Sequence, residues 1–488
     1  MLINNFLLWL FQYPGLHWKI ERFLDTDELL DKARLNSLGL FDENWYKSQY
    51  PDITQSGCNA YVHYMLFGWE ENREISPLFA INDLKSALQN TKGNPINALR
   101  QLEDSLLAGL IDKIQIKQPQ IIIKPINDQR KLLKGINLIG YLTSEIGLGQ
   151  SIRNIGAAMD AAEIPCSFID DPLPQRSNDK EYQTKCSLIQ KHLANFVVCG
   201  IDGASHFYEK CEPGRVNYLY PFWELSKVPP ELKQDLSKYE GFFAPSQFIA
   251  DSFSQEFNRH IPLIRQPVKS RFEYIKKPLG DNVLKIIAFL DFDSYVSRKN
   301  PRAVLEAFLL AFPRTDDSVV LTVKVRGNND RGGRELLSKY AKSDKRIRVI
   351  DKTISRSEMD NLIASADVYI SMHRSEGFGF GPAEALALGK VVVATDYSGT
   401  KDFISSETGF PVAYDLVKVE ANEYPFSADQ VWANPSIDHA AKCLQDIHAN
   451  WDQAQLKGVL GLEFMKQHYT PLAVSRHLKQ VLKEFDLI

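Results

Sequence analysis

The sequence has no apolar run long enough to cross a bilayer, so a globular protein outside the membrane is the expectation. It also lacks an excess of positive charge. With a net charge of −4 over 488 residues and an isoelectric point near 6.2, no basic field covers the chain, which argues against nucleic acid as a partner. Paired cysteines are missing too. The six, at 58, 166, 186, 199, 211 and 443, form no CxxC motif and no cluster with histidine. Idle thiols in a reducing cytosol are therefore expected, in place of a zinc site or a disulfide frame. The stretch "MLINNFLLWLFQYPGLHWKIERFL" has a short apolar core, no leading basic residue and no small-residue cleavage site, so a signal peptide is not the expectation. Phe6, Leu7, Trp9, Leu10 and Phe11, followed by Lys19 and Arg22, would suit an interfacial helix. A helix packed on its own domain is the preferred reading.

What the sequence does contain is a pattern that changes twice. A chain of this length exceeds one ordinary core, so two or three domains are expected. Residues 1–110 read as a helical, aromatic-rich domain, and 111–134, with two prolines and several Gln and Lys, as a linker. From 135 short apolar runs such as "INLIGYLT", "NFVVCGID" and "RVNYLYPFW" alternate with amphipathic stretches. That alternation predicts a parallel sheet covered on both faces, over 135–275. It restarts near 283 with "VLKIIAFLDF", "VVLTVKVRG", "IRVID", "VYISM" and "VVVAT", giving a second doubly wound domain over 276–470. A final helix over 471–488 could cross back to the first α/β domain. Ligands are expected at the carboxyl ends of the strands, in a cleft between the two domains.

Within the second α/β domain, "HRSEGFGFGPAEALALGK" (373–390) follows an apolar strand expected to end at Met372. Glu376 is placed in the loop, and Glu384 in the first turn of a helix that begins near Pro382. Between them, Gly377, Gly379 and Gly381 would let backbone N–H groups approach a ligand. A helix start favours anions. Phosphate for the backbone and hydroxyls for the carboxylates together describe a nucleotide sugar.

The setting "SEGFGFGPAEALALGKVVVAT", with glutamate, seven residues and a second glutamate, resembles the signature of family 4 retaining glycosyltransferases of the GT-B fold. "GLGQSIRNIGAAMDAAEIP" resembles that family's first-domain glycine loop, and "SRKNPRAVLEAF" its lysine-bearing loop and helix. "YPFWELSKVP", "FFAPSQFIADSF", "YSGTKDFI" and "VWANPSIDHAA" resemble a bacterial branch engaged in surface-polysaccharide synthesis. The resemblance implies an α/β protein with two Rossmann-like domains facing a cleft. It places Glu384 on the ribose hydroxyls and Glu376 on the donor sugar. Phe378, Gly379 and Phe380 would offer contacts nearby, and Lys299 would neutralise the diphosphate. Relatives carry an arginine where this chain has Ser294, and the adjacent Arg298 is the substitute cation. Lys324, a charge within a strand-like run, is a weaker candidate. Gly147 and Gly149 would let the first-domain loop close over the donor. Glu224 inherits a position that relatives give to histidine, and its role, sugar contact or help with the acceptor proton, stays open. His373 reads equally as a pocket residue and as a plain loop histidine. The family's route is front-face attack assisted by the leaving phosphate, so Glu376 is not assigned as a nucleophile.

Asp291-Phe292-Asp293 mimics the metal-binding DxD of a different glycosyltransferase fold. The expected enzyme nonetheless uses no metal and no cofactor, because Lys299 and the glutamate pair supply a metal-free solution. A DxD enzyme, an epimerase-type protein and a non-catalytic protein of the same fold are the alternatives. The expected partners are a nucleotide-sugar donor and a glycan or lipid-linked acceptor. Residues 1–110 resemble a helical module attached to bacterial polysaccharide glycosyltransferases, with aromatics at helical spacing that read as core. A cytoplasmic location is expected, with peripheral contact at the inner face of the membrane or with an assembly complex through that module.

Overall fold

The computed structural model describes residues 43–56, 60–64, 68, 71–74, 132–173, 176, 180–187, 189–270, 274, 283–328 and 332–488. The expected interfacial helix, most of the helical module and residues 111–131 of the expected linker lie outside these. The chain divides into two units, 1–131 and 132–488. In the first, three short helices, Glu43–Gln49, Pro51–Ser56 and Ala60–His63, are described. Tyr46, Ile53, Tyr61 and Tyr64 are buried there, and the Tyr46 ring lies 4.8 Å from Tyr50 and 6.0 Å from Tyr64. These aromatics form core.

The second unit holds two parallel sheets. Strands β1 (Leu133–Gly140), β2 (Cys166–Asp170), β3 (His192–Gly200), β4 (Val216–Phe222) and β5 (Gly241–Phe242) make a five-stranded sheet in the order β2-β1-β3-β4-β5. β1 opens at Leu133, two residues inside the expected linker. Strands β6 (Leu284–Asp291), β7 (Val319–Arg326), β8 (Ile347–Asp351), β9 (Val368–Ser371), β10 (Val391–Thr395) and β11 (Phe410–Val412) form the second sheet, ordered β11-β10-β9-β6-β7-β8. Continuous burial explains the strand sequences. All five residues of β10, "VVVAT", are buried, as a strand covered by helices on both faces requires.

The strand orders place one crevice in each sheet. In each sheet the order reverses once, between β1 and β3 in the first and between β6 and β9 in the second. Loops leaving two neighbouring strands at a reversal diverge to opposite faces and open a crevice at the carboxyl ends. In the second sheet, the segments after β6 and β9 are 292–300, which includes the short helix Val296–Lys299, and 372–379. These two carry Arg298, Lys299 and Glu376.

Two further elements join the α/β domains. The last helix, Pro471–Glu484, packs Val474, Leu478, Val481 and Leu482 into the same buried cluster as Ile152, Ile155 and Met159 of the helix Gly147–Ala161. An antiparallel arm, β12 (Tyr414–Lys418) and β13 (Val431–Pro435), extends from the second sheet. Its Val419, Tyr424 and Trp432 are buried with Trp223, Leu225 and Val228 of the first domain.

Candidate functional site

The glutamate–glycine loop differs from its sequence reading at both ends. β9 stops at Ser371, and the next helix starts at Phe380, not Pro382. Gly379, at φ 98°, supplies a left-handed turn that a side chain would resist, so the helix can start early. Pro382 still falls where no helical N–H is needed, at the third helical residue. Glu384 is consequently the fifth residue of the helix and lies in its second turn. Gly377 serves a different purpose, because a Cβ there would sit 3.0 Å from the Trp223 carbonyl oxygen of the first domain. Ser246, from the same domain, donates its hydroxyl to the Gly377 carbonyl at 2.6 Å. The first domain thus rests directly on the loop.

Glu376 is 8% exposed and stands at the centre of a charge cluster. Its carboxylate accepts from Lys299 Nζ at 2.5 Å and from Arg298 Nη1 at 2.9 Å. Burial alone would raise its pKa, but the two cations overcome that and hold it far below the usual carboxylate range. Burial also pushes the Lys299 amine down, and the neighbouring Arg298 charge adds to this while Glu376 resists. The Glu376 N–H donates to Ser398 Oγ at 2.8 Å. Ser398 is itself held at φ 66°, a left-handed conformation costly for serine.

Arg298 is buried and multiply fixed. Its guanidinium also donates to the Ser375 carbonyl at 2.8 Å and to Ser294 Oγ at 2.7 Å, and lies 3.7 Å from Glu224. Its Nε and the Ser375 hydroxyl are buried without a hydrogen-bond partner. Ser294 thereby orients Arg298. Glu224 lies just past the end of β4 and accepts a short hydrogen bond from the Tyr424 hydroxyl. Five of the expected residues, Ser294, Arg298, Lys299, Glu376 and Glu224, therefore form one connected network.

Among the described residues, Glu384 pairs with a different cation. Its carboxylate accepts from Arg356 at 2.6 Å, and Arg356 also pairs with Asp360 at 2.9 Å. Burial raises the Glu384 pKa despite the arginine. His373 is fully buried, bonded through Nδ1 to Ser371 at 3.0 Å and through Nε2 to Thr400 at 3.2 Å and the Tyr397 carbonyl at 3.3 Å. Burial takes its pKa down to about 4, so the ring is neutral at physiological pH and braces the loop. Phe378 is a core residue, packed 5.1 Å from Phe380 and 5.4 Å from Phe403, so only its backbone can face a ligand. Phe380 is partly exposed.

The first-domain glycines separate in role. A Cβ on Gly147 would meet only open space, whereas one on Gly149 would lie 2.0 Å from the Ser144 carbonyl oxygen. Gly149 is thus required by packing. Lys324 stays apart from the cluster and donates to the Val325 carbonyl at 2.6 Å. The DxD-like pair is bound to arginines: Asp291 to Arg326 at 2.7 Å, and Asp293 to Arg176. Arg356 and Tyr424 were invisible in the sequence. "SRSE" around Arg356 signals only a helix start, and nothing local links residue 424 to residue 224.

Residues 294–422 match the family model described as "Glycosyl transferases group 1". This stretch is a glycosyltransferase domain. It spans Ser294, Arg298, Lys299, Glu376 and Glu384, and amounts to about a quarter of the chain. A comparison with curated protein sequences found no match. Among solved structures, sucrose-phosphate synthase from Thermosynechococcus elongatus aligns with a TM-score of 0.54 at 14% identity, covering 72% of this chain and 99% of that one. The lipopolysaccharide outer core galactosyltransferase WaaB aligns at 0.52 and 13% identity, over 72% and 99%. These likenesses give the fold, which is GT-B: two Rossmann-like domains facing a cleft. TarM from S. aureus aligns at 0.44 and 14% identity over 60% of this chain, which spans only 55% of the TarM chain.

Proposed function

We propose that the protein is a retaining, metal-independent glycosyltransferase of family 4 type. It would move a sugar from a nucleotide-diphosphate sugar to a glycan or lipid-linked acceptor in cell-surface polysaccharide synthesis. The observation that carries this reading is the pairing of Lys299 and Arg298 with Glu376 at the strand-order reversal of the second sheet. Glu376 takes a close bond from each cation while Glu224 stays 3.7 Å from Arg298, so a diphosphate entering this crevice would meet two fixed cations.

The chemistry follows from where charge develops. As the sugar–phosphate bond lengthens, negative charge grows on the leaving diphosphate, and Lys299 and Arg298 are fixed to oppose it without reorganising. Protein cations thereby do the work that a divalent ion does in DxD enzymes. Glu376, released from part of its ion pairing, takes hydroxyls of the donor sugar, and Glu384 with Arg356 takes the ribose side. The acceptor attacks from the face the diphosphate leaves, its proton passing to a phosphate oxygen. Glu224 faces this reaction from the first domain. Closure of the two domains excludes water that would otherwise hydrolyse the donor. Among the described residues no helix is long and apolar enough to cross a membrane. A cytoplasmic enzyme touching the inner membrane face through residues 1–110 fits the proposed acceptors.

A thermal-shift panel of UDP-, GDP-, ADP- and dTDP-sugars tests the reading. The cognate donor at a hundred times its Kd stabilises by about 2.7 kcal/mol, against little for the others. A panel in which no donor shifts the midpoint contradicts it.

A further inference from the structure

The arm β12–β13 brings one hydroxyl into the charged network from outside the matched loops. Tyr424 lies between the two strands of the arm and is 6% exposed. Its ring stands 4.6 Å from Tyr295, 5.6 Å from Trp223 and 6.3 Å from Trp432. These contacts leave the ring little freedom, so the position of its hydroxyl oxygen is fixed by packing. That O–H donates to Glu224 Oε2 in a short hydrogen bond. The other oxygen, Oε1, lies 3.7 Å from Arg298 Nη2.

The 3.7 Å separation is informative. Nη2 makes its close contact with Ser294 Oγ at 2.7 Å, and Nη1 with Glu376 at 2.9 Å. Two glutamates therefore compete for one guanidinium, and only Glu376 holds it closely. An unrestrained Glu224 would close on Arg298, because a carboxylate beside a buried arginine gains from a direct, charge-assisted bond. The Tyr424 hydroxyl offers Glu224 a competing donor at its other oxygen.

We infer that Tyr424 is a positioning residue, holding the Glu224 carboxylate off Arg298 so that Arg298 serves Glu376 and the diphosphate while Glu224 faces the sugar. This role rests on the functional reading above. The arm also fixes the relation between the domains here, since Lys227, three residues beyond Glu224, donates its N–H to the Gln430 side chain at 3.2 Å and its amine to the Asp429 carbonyl at 3.1 Å. Glu224 is thereby oriented only where the arm meets the first domain.

The test is a double-mutant cycle on the slow hydrolysis of UDP-glucose, GDP-mannose, ADP-glucose and dTDP-glucose, water accepting the sugar and nucleotide diphosphate leaving. Tyr424→Phe keeps the ring contacts and removes the hydroxyl. It is expected to lower kcat about tenfold with donor KM within about twofold, and to have no further effect in a Glu224→Gln background. Phe426→Leu trims the same aromatic cluster, whose Phe426 ring lies 6.4 Å from Trp223, and leaves the hydroxyl. It is expected to lower the thermal midpoint and leave kcat near wild type. Wild-type kcat in Tyr424→Phe, losses that multiply in the double variant, or an equal kcat loss in Phe426→Leu would each overturn the role. A wild-type chain that releases nucleotide from none of the four donors overturns the functional reading, and this role with it.

Discussion

Glu376 and Glu384 lie two helical turns apart in sequence but in opposite electrostatic settings. Glu376 is held ionised by Lys299 and Arg298, whereas burial lifts the Glu384 pKa despite Arg356. Their substitutions should therefore separate. Glu376→Gln leaves two buried cations without their partner and is expected to lower turnover about 100-fold, with a smaller effect on nucleotide binding. Glu384→Gln is expected to weaken nucleotide binding about tenfold and turnover less, as read by calorimetric titration beside steady-state kinetics. His373 provides a pH signature of stability. Its pKa falls from 6.5 to about 4 on folding, so the unfolded chain takes up the proton first as pH drops. Its contribution is complete above pH 6.5 and is lost on the way to pH 4, a change on the order of 3 kcal/mol. Urea unfolding between pH 7 and 5 should show this slope, reduced in His373→Asn. At this scale the sequence revealed residue types and spacing, although glycine-rich turns with nearby glutamates are common and only the further motifs, such as "SRKNPRAVLEAF", pointed to a nucleotide sugar. It could not reveal Arg356 or Tyr424, because a partner from another element is chosen by tertiary packing.

The strands were legible from their apolar runs, and the restart near 283 falls one residue before β6 opens at Leu284. The start of the helix after β9 was not. Proline suggested 382, but the left-handed Gly379 allowed the backbone to enter the helix at Phe380. The helix Pro471–Glu484 lies far in sequence from the helix Gly147–Ala161 yet shares its core. Leu478 is fully buried at that contact. Leu478→Ala should cost about 2–5 kcal/mol of stability in urea unfolding, although the residue belongs to the last segment of the chain. The arm β12–β13 was legible only as a motif, "VWANPSIDHAA". Its placement against Trp223 depends on packing between domains, which no local pattern encodes.

For the molecule as a whole, the proposed transfer needs the two α/β domains to meet closely at the glutamate–glycine loop. Gly377 is the contact point, between the Trp223 carbonyl and the Ser246 hydroxyl. Gly377→Ala should prop the domains apart by a few tenths of an ångström and lower kcat about 10- to 100-fold, with thermal stability little changed. The two-sheet architecture was readable from the sequence because each domain carries its own strand–helix alternation. The closeness of the domains was not, since it arises where backbone meets backbone. The central claim, that Lys299 and Arg298 are the seat of the leaving diphosphate, is tested most directly by turnover of the cognate nucleotide sugar in EDTA by wild type and Lys299→Ala. Turnover is expected to be unaffected by EDTA in the wild type and reduced about 100- to 1,000-fold in the variant. Turnover abolished by EDTA and restored by manganese, or a variant as fast as the wild type, would contradict it.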